Sequence, residues 1–180
     1  MLNLHQNTKI GTGKENTIMM DITQVASYIC FRYKAEYGKE IDEMKLHKLL
    51  YFAQRECLVQ TRKPLFTDRF KAWKYGPVML GIRQHFKKGE LCDIPKIECV
   101  AEYQSVFDKV FLTFAPKDSW GLSSLTHNEY SWQKARKGCA PDEHSDNDIA
   151  TEDIAKDADR IRTRRFLLSK FQDFQKTSIS

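Results

Sequence analysis

Leu46, Leu49, Leu50, Ala53 and Cys57 recur at the spacing that lines one face of a helix. Tyr51, Phe52 and Leu58 widen that face far beyond a narrow stripe. So broad an apolar surface predicts a helix touched on several sides, running from a cap at Asp42 to about Gln60. The same wheel leaves Lys48, Arg55 and Glu56 for its other sides. Before it, Ile22, Val25, Ala26, Ile29, Cys30 and Tyr33 follow the helical template, with Asp21 or Thr23 as the cap and Gly38 as the stop. The link between the two helices is short, so they are expected to pack as neighbours.

After Lys63-Pro64 the period changes. Residues 65–75 lack helical spacing and predict a short extended segment, or a small hairpin turning at Thr67-Asp68. Gly76-Pro77 reads as a break followed by a helix start, because proline fits a first turn. Val78, Ile82 and Phe86 would form one face of that third helix, closed by Lys87, Lys88 and Gly89. Residues 91–97 are irregular, with Pro95 inside. Val100, Tyr103, Phe107, Val110, Phe111 and Phe114 predict a fourth helix ending at Ala115-Pro116. A short helix over residues 118–125 follows. Thr126 and Glu129 then fit a capping box opening a helix that carries Trp132 and Ala135 and stops at Gly138. Residues 139–148 read as a polar loop. A last helix over residues 151–174 is expected to turn Ile154, Ala158, Ile161 and Leu168 inward. The fold class is therefore mostly α: a single-domain helical bundle around a buried central helix, with a short extended segment or small hairpin. Residues 1–19 form a polar lead-in, residues 20–138 the domain, and residues 139–180 an acidic loop and charged helix packed on the same domain.

At 180 residues with 41% hydrophobic and 12% aromatic residues, the chain can bury a core without staples. No stretch approaches the length of a membrane span, and the N-terminus lacks an apolar export core. The five cysteines (Cys30, Cys57, Cys92, Cys99, Cys139) are scattered with no C-x-x-C pair, which argues against zinc and for a reducing cytoplasm. Cys30 and Cys57 read as small core residues. The net charge of +5 is modest, and its distribution matters more than its size. Eight acidic residues crowd residues 142–159 against Lys156 alone, and Arg160, Arg162, Arg164, Arg165 and Lys170 follow with no acid among them up to Lys170. That run is either a solvated helix with i, i+4 pairs or a basic patch for an acidic partner or nucleic acid.

No sequence motif for nucleophilic, phosphate-cradling or dinucleotide chemistry occurs. His127 and Glu129 could be an acid/base pair, but at i, i+2 they point apart. His47 on the central helix reads as an interior histidine held by a hydrogen bond. No catalytic, cofactor-binding or metal-ligating residue is assigned. Trp73, Tyr75, Gly76 and Pro77 form an aromatic turn that serves either local packing or recognition.

Three stretches in order carry a family resemblance: Lys45-Leu46-His47-Lys48-Leu49-Leu50-Tyr51-Phe52-Ala53-Gln54, Phe70-Lys71-Ala72-Trp73-Lys74-Tyr75-Gly76-Pro77-Val78, and Leu125-Thr126-His127-Asn128-Glu129-Tyr130-Ser131-Trp132. Over residues 21–138 the chain resembles the Panacea antitoxin domain, also called the SocA-like or GepA-like phage-associated family. The resemblance implies a mostly helical, non-enzymatic cytoplasmic protein, an antitoxin of a two-gene system found in prophages and mobile elements. Its partner would be a cognate toxin protein bound directly, or a toxin handed as by an adaptor to the ClpXP protease. It implies no membrane partner and no cofactor. Candidate partner-binding residues are Trp73, Tyr75, His127, Arg160, Arg162, Arg164 and Arg165. The alternative from another class is a DNA-binding regulator using the basic C-terminal helix, although no helix-turn-helix stands out.

Overall fold

The computed structural model describes residues 19–91 and 100–177. The lead-in over residues 1–18, the irregular stretch around Pro95, and Cys92 and Cys99 lie outside them. Among the described residues, seven helices and three short strands follow in the order α1 (Ile22–Tyr37), α2 (Glu43–Thr61), β1 (Phe70–Trp73), β2 (Gly76–Val78), α3 (Leu80–Lys87), α4 (Gln104–Phe114), α5 (Ser119–His127), α6 (Tyr130–Ala135), β3 (Asp148–Ile149) and α7 (Thr151–Thr177). The architecture is mostly α with one small antiparallel sheet of order β2-β1-β3.

α2 is the axis. Asp42 caps its start by accepting from the Lys45 N–H, and every residue from Lys45 to Val59 is buried. α1, α4, α5, α7 and the hairpin pack around it. α1 is capped as expected, with Asp21 accepting from the amides of Thr23 and Gln24, and it stops at Gly38 in the left-handed conformation. Cys30 and Cys57 are both core residues.

Burial on all sides corrects one reading of the helical wheel. Lys48, Arg55 and Glu56 are not on open sides but are 1%, 5% and 0% exposed. Each can stay inside because a neighbouring element supplies its partner. Lys48 Nζ donates to the Pro77 carbonyl (3.2 Å). Arg55 pairs with Glu129. Glu56 accepts both arms of Arg165 (2.7 and 2.8 Å).

The hairpin turns at Lys74-Tyr75, with Trp73 opposite Gly76, and not at Thr67-Asp68. Gly76-Pro77-Val78 is accordingly a strand and not the first turn of α3, which starts at Leu80. Proline is tolerated there because β2 is an edge strand, which requires no amide on its outer side. The expected capping box is also absent. Thr126 lies in the last turn of α5 and its hydroxyl donates to the Ser123 carbonyl (2.8 Å), while Glu129 turns to Arg55. The first amides of α6, Tyr130 and Ser131, donate instead to Asp157 of α7 (2.9 Å each). A long-range carboxylate has replaced the local cap.

α7 turns Ile154 and Ala158 into the core and half-buries Ile161, but Leu168 is 52% exposed. The reason is length. At 1.5 Å per residue the 27 residues of α7 span about 40 Å, against about 28 Å for the 19 residues of α2. Its C-terminal half therefore outruns the body.

Gly76 is the tightest joint between these parts. Its φ is +102°, and a Cβ there would stand 2.4 Å from Thr126 Oγ1 and 2.8 Å from Lys48 Cε. Gly76→Ala is expected to cost about 3 kcal/mol, from backbone strain and overpacking together. Gly81→Ala, where a Cβ meets nothing within 4 Å inside α3, is expected to be neutral or slightly stabilising. Urea unfolding of both variants checks the pair.

Candidate functional site

Two clefts flank the β1–β2 hairpin, and the aromatic turn separates them. Trp73 is held from both ends: its indole N–H donates to Asp146 (3.0 Å) and its carbonyl accepts from the Trp132 indole (3.0 Å). Trp132 in turn stacks on His127, with centroids 4.2 Å apart. Tyr75 is 46% exposed at the tip, and Ser123 fixes its carbonyl (2.9 Å). Its ring meets the edge of Trp120 at 5.3 Å, and Trp120 is 61% exposed. The hairpin and α5 thus place two exposed aromatic rings side by side. Trp120 escaped the sequence reading. Its signal was the cap at Asp118, which puts Trp120 in a first turn, where a large ring has few neighbours of its own helix to pack on.

Tyr75, His127, Trp132 and Arg136 line the first cleft, of about 430 Å³. Burial, aided by the charges of Lys48 and Arg136, keeps the His127 ring below its ordinary proton affinity. His127 and Glu129 face different partners, Trp132 and Arg55 respectively, so they do not form an acid/base pair. Cys57 offers no ready nucleophile either, since its thiol is fully buried and burial raises its pKa. Among the described residues no group of His, Cys, Asp and Glu is arranged to hold a metal ion. No helix among them is long and apolar enough to cross a membrane.

Of the four arginines of α7, Arg160, Arg164 and Arg165 line other grooves, away from the hairpin, and Arg162 reaches α2. They divide by role. Arg162 donates to the Leu58 and Val59 carbonyls (2.7 and 3.1 Å), satisfying the C-terminal end of α2. Arg165 neutralises Glu56. Arg160 reaches out over the Tyr130 ring (5.2 Å), and Arg164 lies along the groove with Leu168 and Phe114. Lys156 pairs with Asp153, as does Lys134 from α6, so part of the acidic run is consumed inside the fold.

The second cleft, of about 450 Å³, lies between α2 and the other face of the hairpin. Its walls include Glu43, His47, Lys48, Trp73, Tyr75 and Arg83. His47 is 1% exposed, and its Nδ1 accepts from the Met79 amide (3.3 Å). Burial, with the nearby charges of Lys48 and Arg83, lowers its pKa to about 3, so the ring is neutral. A neutral ring that accepts at Nδ1 carries its proton on Nε2. That N–H is buried and has no hydrogen-bond partner. Glu43 Oε1 is 3.9 Å away and is taken by Arg83 at 2.8 Å. Burial likewise lowers the Lys48 amine to about 7, with Asp42 acting weakly the other way.

The sign of the Lys48 effect follows from linkage. Between pH 7 and the ordinary lysine range the unfolded chain binds the proton and the folded one does not, so folding gains stability as pH rises. From pH 7 to pH 9 the wild-type chain is expected to gain up to about 2 kcal/mol relative to Lys48→Met. Urea midpoints measured in parallel at both pH values check it; parallel slopes for the two proteins would show that the amine is not desolvated.

Comparison with known proteins places these elements. Residues 46–133, just under half of the chain, match the family model Antitoxin SocA-like, Panacea domain. The matched segment starts on α2 and ends in α6, and so contains Lys48, the hairpin and Thr126, which meet at Gly76. A curated relative, Antitoxin SocA of Caulobacter vibrioides (strain NA1000 / CB15N), is 50% identical over 38 residues, which is 21% of this chain and 20% of that protein. The chain thus spans about a fifth of the length of the curated relative it matches. No solved structure matches. The segment from residue 46 to residue 133 is thus similar to the Antitoxin SocA-like, Panacea domain.

Proposed function

We propose that the chain is the antitoxin of a toxin–antitoxin pair, and that it acts in the cytoplasm without catalysis by binding a cognate toxin protein. The family of its central segment supports the antitoxin assignment. The observation that carries the binding mode is the contrast between interior and surface. Lys45, Arg55 and Glu56 of α2 are paired inside the fold, while Tyr75 and Trp120 stand exposed and edge to face beside the aromatic turn. Exposed, mutually supported aromatic rings are the anchors on which protein interfaces concentrate their energy. Trp73 and His127 support this ridge from below, and Arg164, with Arg160 held over Tyr130 and near Asp157, offers a cationic rim on α7. Occlusion of the toxin by this surface is the reading put forward; delivery of the bound toxin to a protease such as ClpXP would use the same grip.

Co-expression with the neighbouring gene product tests the assignment. The neighbour is expected to arrest growth alone, and this chain to restore it. A double change, Tyr75→Ala with Trp120→Ala, is expected to leave the unfolding midpoint within a few degrees. It is also expected to weaken toxin binding about 30-fold or more, as loss of a central anchor does. A harmless neighbour, or one that stays lethal beside the folded chain, would refute the assignment. Undiminished binding by the double variant would refute the aromatic ridge.

A further inference from the structure

The cleft between α2 and the hairpin holds two groups that the fold leaves unmatched. The first is the His47 Nε2–H, buried and without an acceptor. The second is the Lys48 amine, 1% exposed, whose acceptor is the neutral Pro77 carbonyl and which has no ion pair among the described residues. The other charges facing the cleft are matched. Glu43 and Arg83 pair with each other, Lys74 pairs with Asp142, and His144 pairs with Asp146. Asp42 acts on Lys48 only at a distance and is engaged by the Lys45 amide and the Ser119 hydroxyl.

Such an arrangement is unfavourable in the free chain. A buried amine with one neutral acceptor costs stability, and a methionine would fill the same space without that cost. An unpartnered buried N–H adds a further penalty. What remains open in the cleft is therefore one amine that has no countercharge when protonated and one donor, walled by Met44, Trp73, Tyr75 and Val78. A water could satisfy the donor but not the charge. An anionic acceptor on a short apolar stem satisfies both, and the volume is in the range that ligand sites occupy.

We infer that this cleft receives the carboxylate of a glutamate or aspartate side chain carried by a partner polypeptide, with His47 Nε2–H donating to it and Lys48 supplying the countercharge. The inference rests on the antitoxin reading for the partner's identity as a toxin, but the site's chemistry stands on the cleft alone. A polypeptide source is favoured over a free small acid because the cleft opens beside Tyr75, which also belongs to the exposed ridge. One partner can then cover the ridge and insert an acidic side chain next to it.

The full-length chain, labelled at lysine amines and histidine rings, is titrated by NMR with three probes: acetyl-Gly-Glu-Gly-amide, its glutamine counterpart, and glutarate. The glutamate peptide is expected to move the Lys48 and His47 signals in a saturable way and to bind at least tenfold tighter than the glutamine peptide. Lys48→Met is expected to lose that preference while keeping its fold. Equal affinity of the two peptides, no shift at concentrations on the order of 10 mM, or a preference that survives Lys48→Met would overturn the site. Tighter binding of glutarate than of the peptide would overturn the polypeptide source. Toxin co-expression separates the two levels. Wild type failing to rescue counts against the antitoxin reading. A folded Lys48→Met that rescues as well as wild type counts against the cleft and leaves the antitoxin reading standing.

Discussion

A helix buried on every side cannot carry a polar group without a partner fixed in place by another part of the chain. α2 carries seven: Lys45, His47, Lys48, Tyr51, Gln54, Arg55 and Glu56. Lys45 reaches the Tyr33 hydroxyl of α1 (3.1 Å), Tyr51 the Ser131 hydroxyl of α6 (2.8 Å), Arg55 the Glu129 carboxylate and Glu56 the Arg165 guanidinium of α7. Gln54 holds the segment after α2 by donating to the Phe66 carbonyl (2.9 Å) and accepting from the Leu65 and Phe66 amides (2.8 and 3.2 Å). Apolar burial supplies most of the driving force, but it is indifferent to which neighbour sits where. The polar groups are not. An element that docked out of register would leave a buried group unpaired, at roughly 1–3 kcal/mol each and more for a charge. The matching stops short at His47 Nε2 and Arg55 Nε, which lack hydrogen-bond partners, and at Lys48, whose acceptor is a neutral carbonyl.

The same constraint ties together separate stretches of the segment that matches the family model. Lys48 of α2, Gly76-Pro77 of the hairpin and Thr126 of α5 converge on one point, where only a glycine fits. Pro77 offers its carbonyl to Lys48 and needs no amide for a further strand. The turn that results projects Tyr75 outward while Trp73 stays anchored to Asp146 and Trp132. The exposed aromatic ridge is thus a by-product of a rigid interior joint, which is how a recognition surface is kept pre-organised.

α7 lies beyond the family segment and works differently along its length. Its first half closes the bundle: Asp157 caps α6, Arg162 caps α2, and Arg165 neutralises Glu56. Past that point Phe166, Leu167, Leu168, Phe171 and Phe174 are all more than half exposed. The charge segregation of the sequence therefore resolves into interior partners for α2 and α6 followed by an apolar, outlying helix end.

The number and rough order of the helices, the caps at Asp21 and Asp42, the stop at Gly38 and the central place of α2 were legible in the residue pattern, because each depends on interactions within a few positions of the chain. The aromatic turn and the family resemblance were legible for the same reason. The hairpin's turn, the strand at Gly76-Pro77-Val78, the fate of Thr126 and Glu129, the burial of Lys48 and Glu56 and the pairing of Tyr75 with Trp120 were not. Local rules favoured proline in a first helical turn, a threonine–glutamate box, and charged side chains facing water. Each was overridden by a partner between 29 and 109 residues away that offered a stronger or better-placed interaction. Sequence periodicity specifies which surfaces are apolar; only packing decides which polar groups are carried inside with them, because that depends on whether a distant residue arrives to receive them.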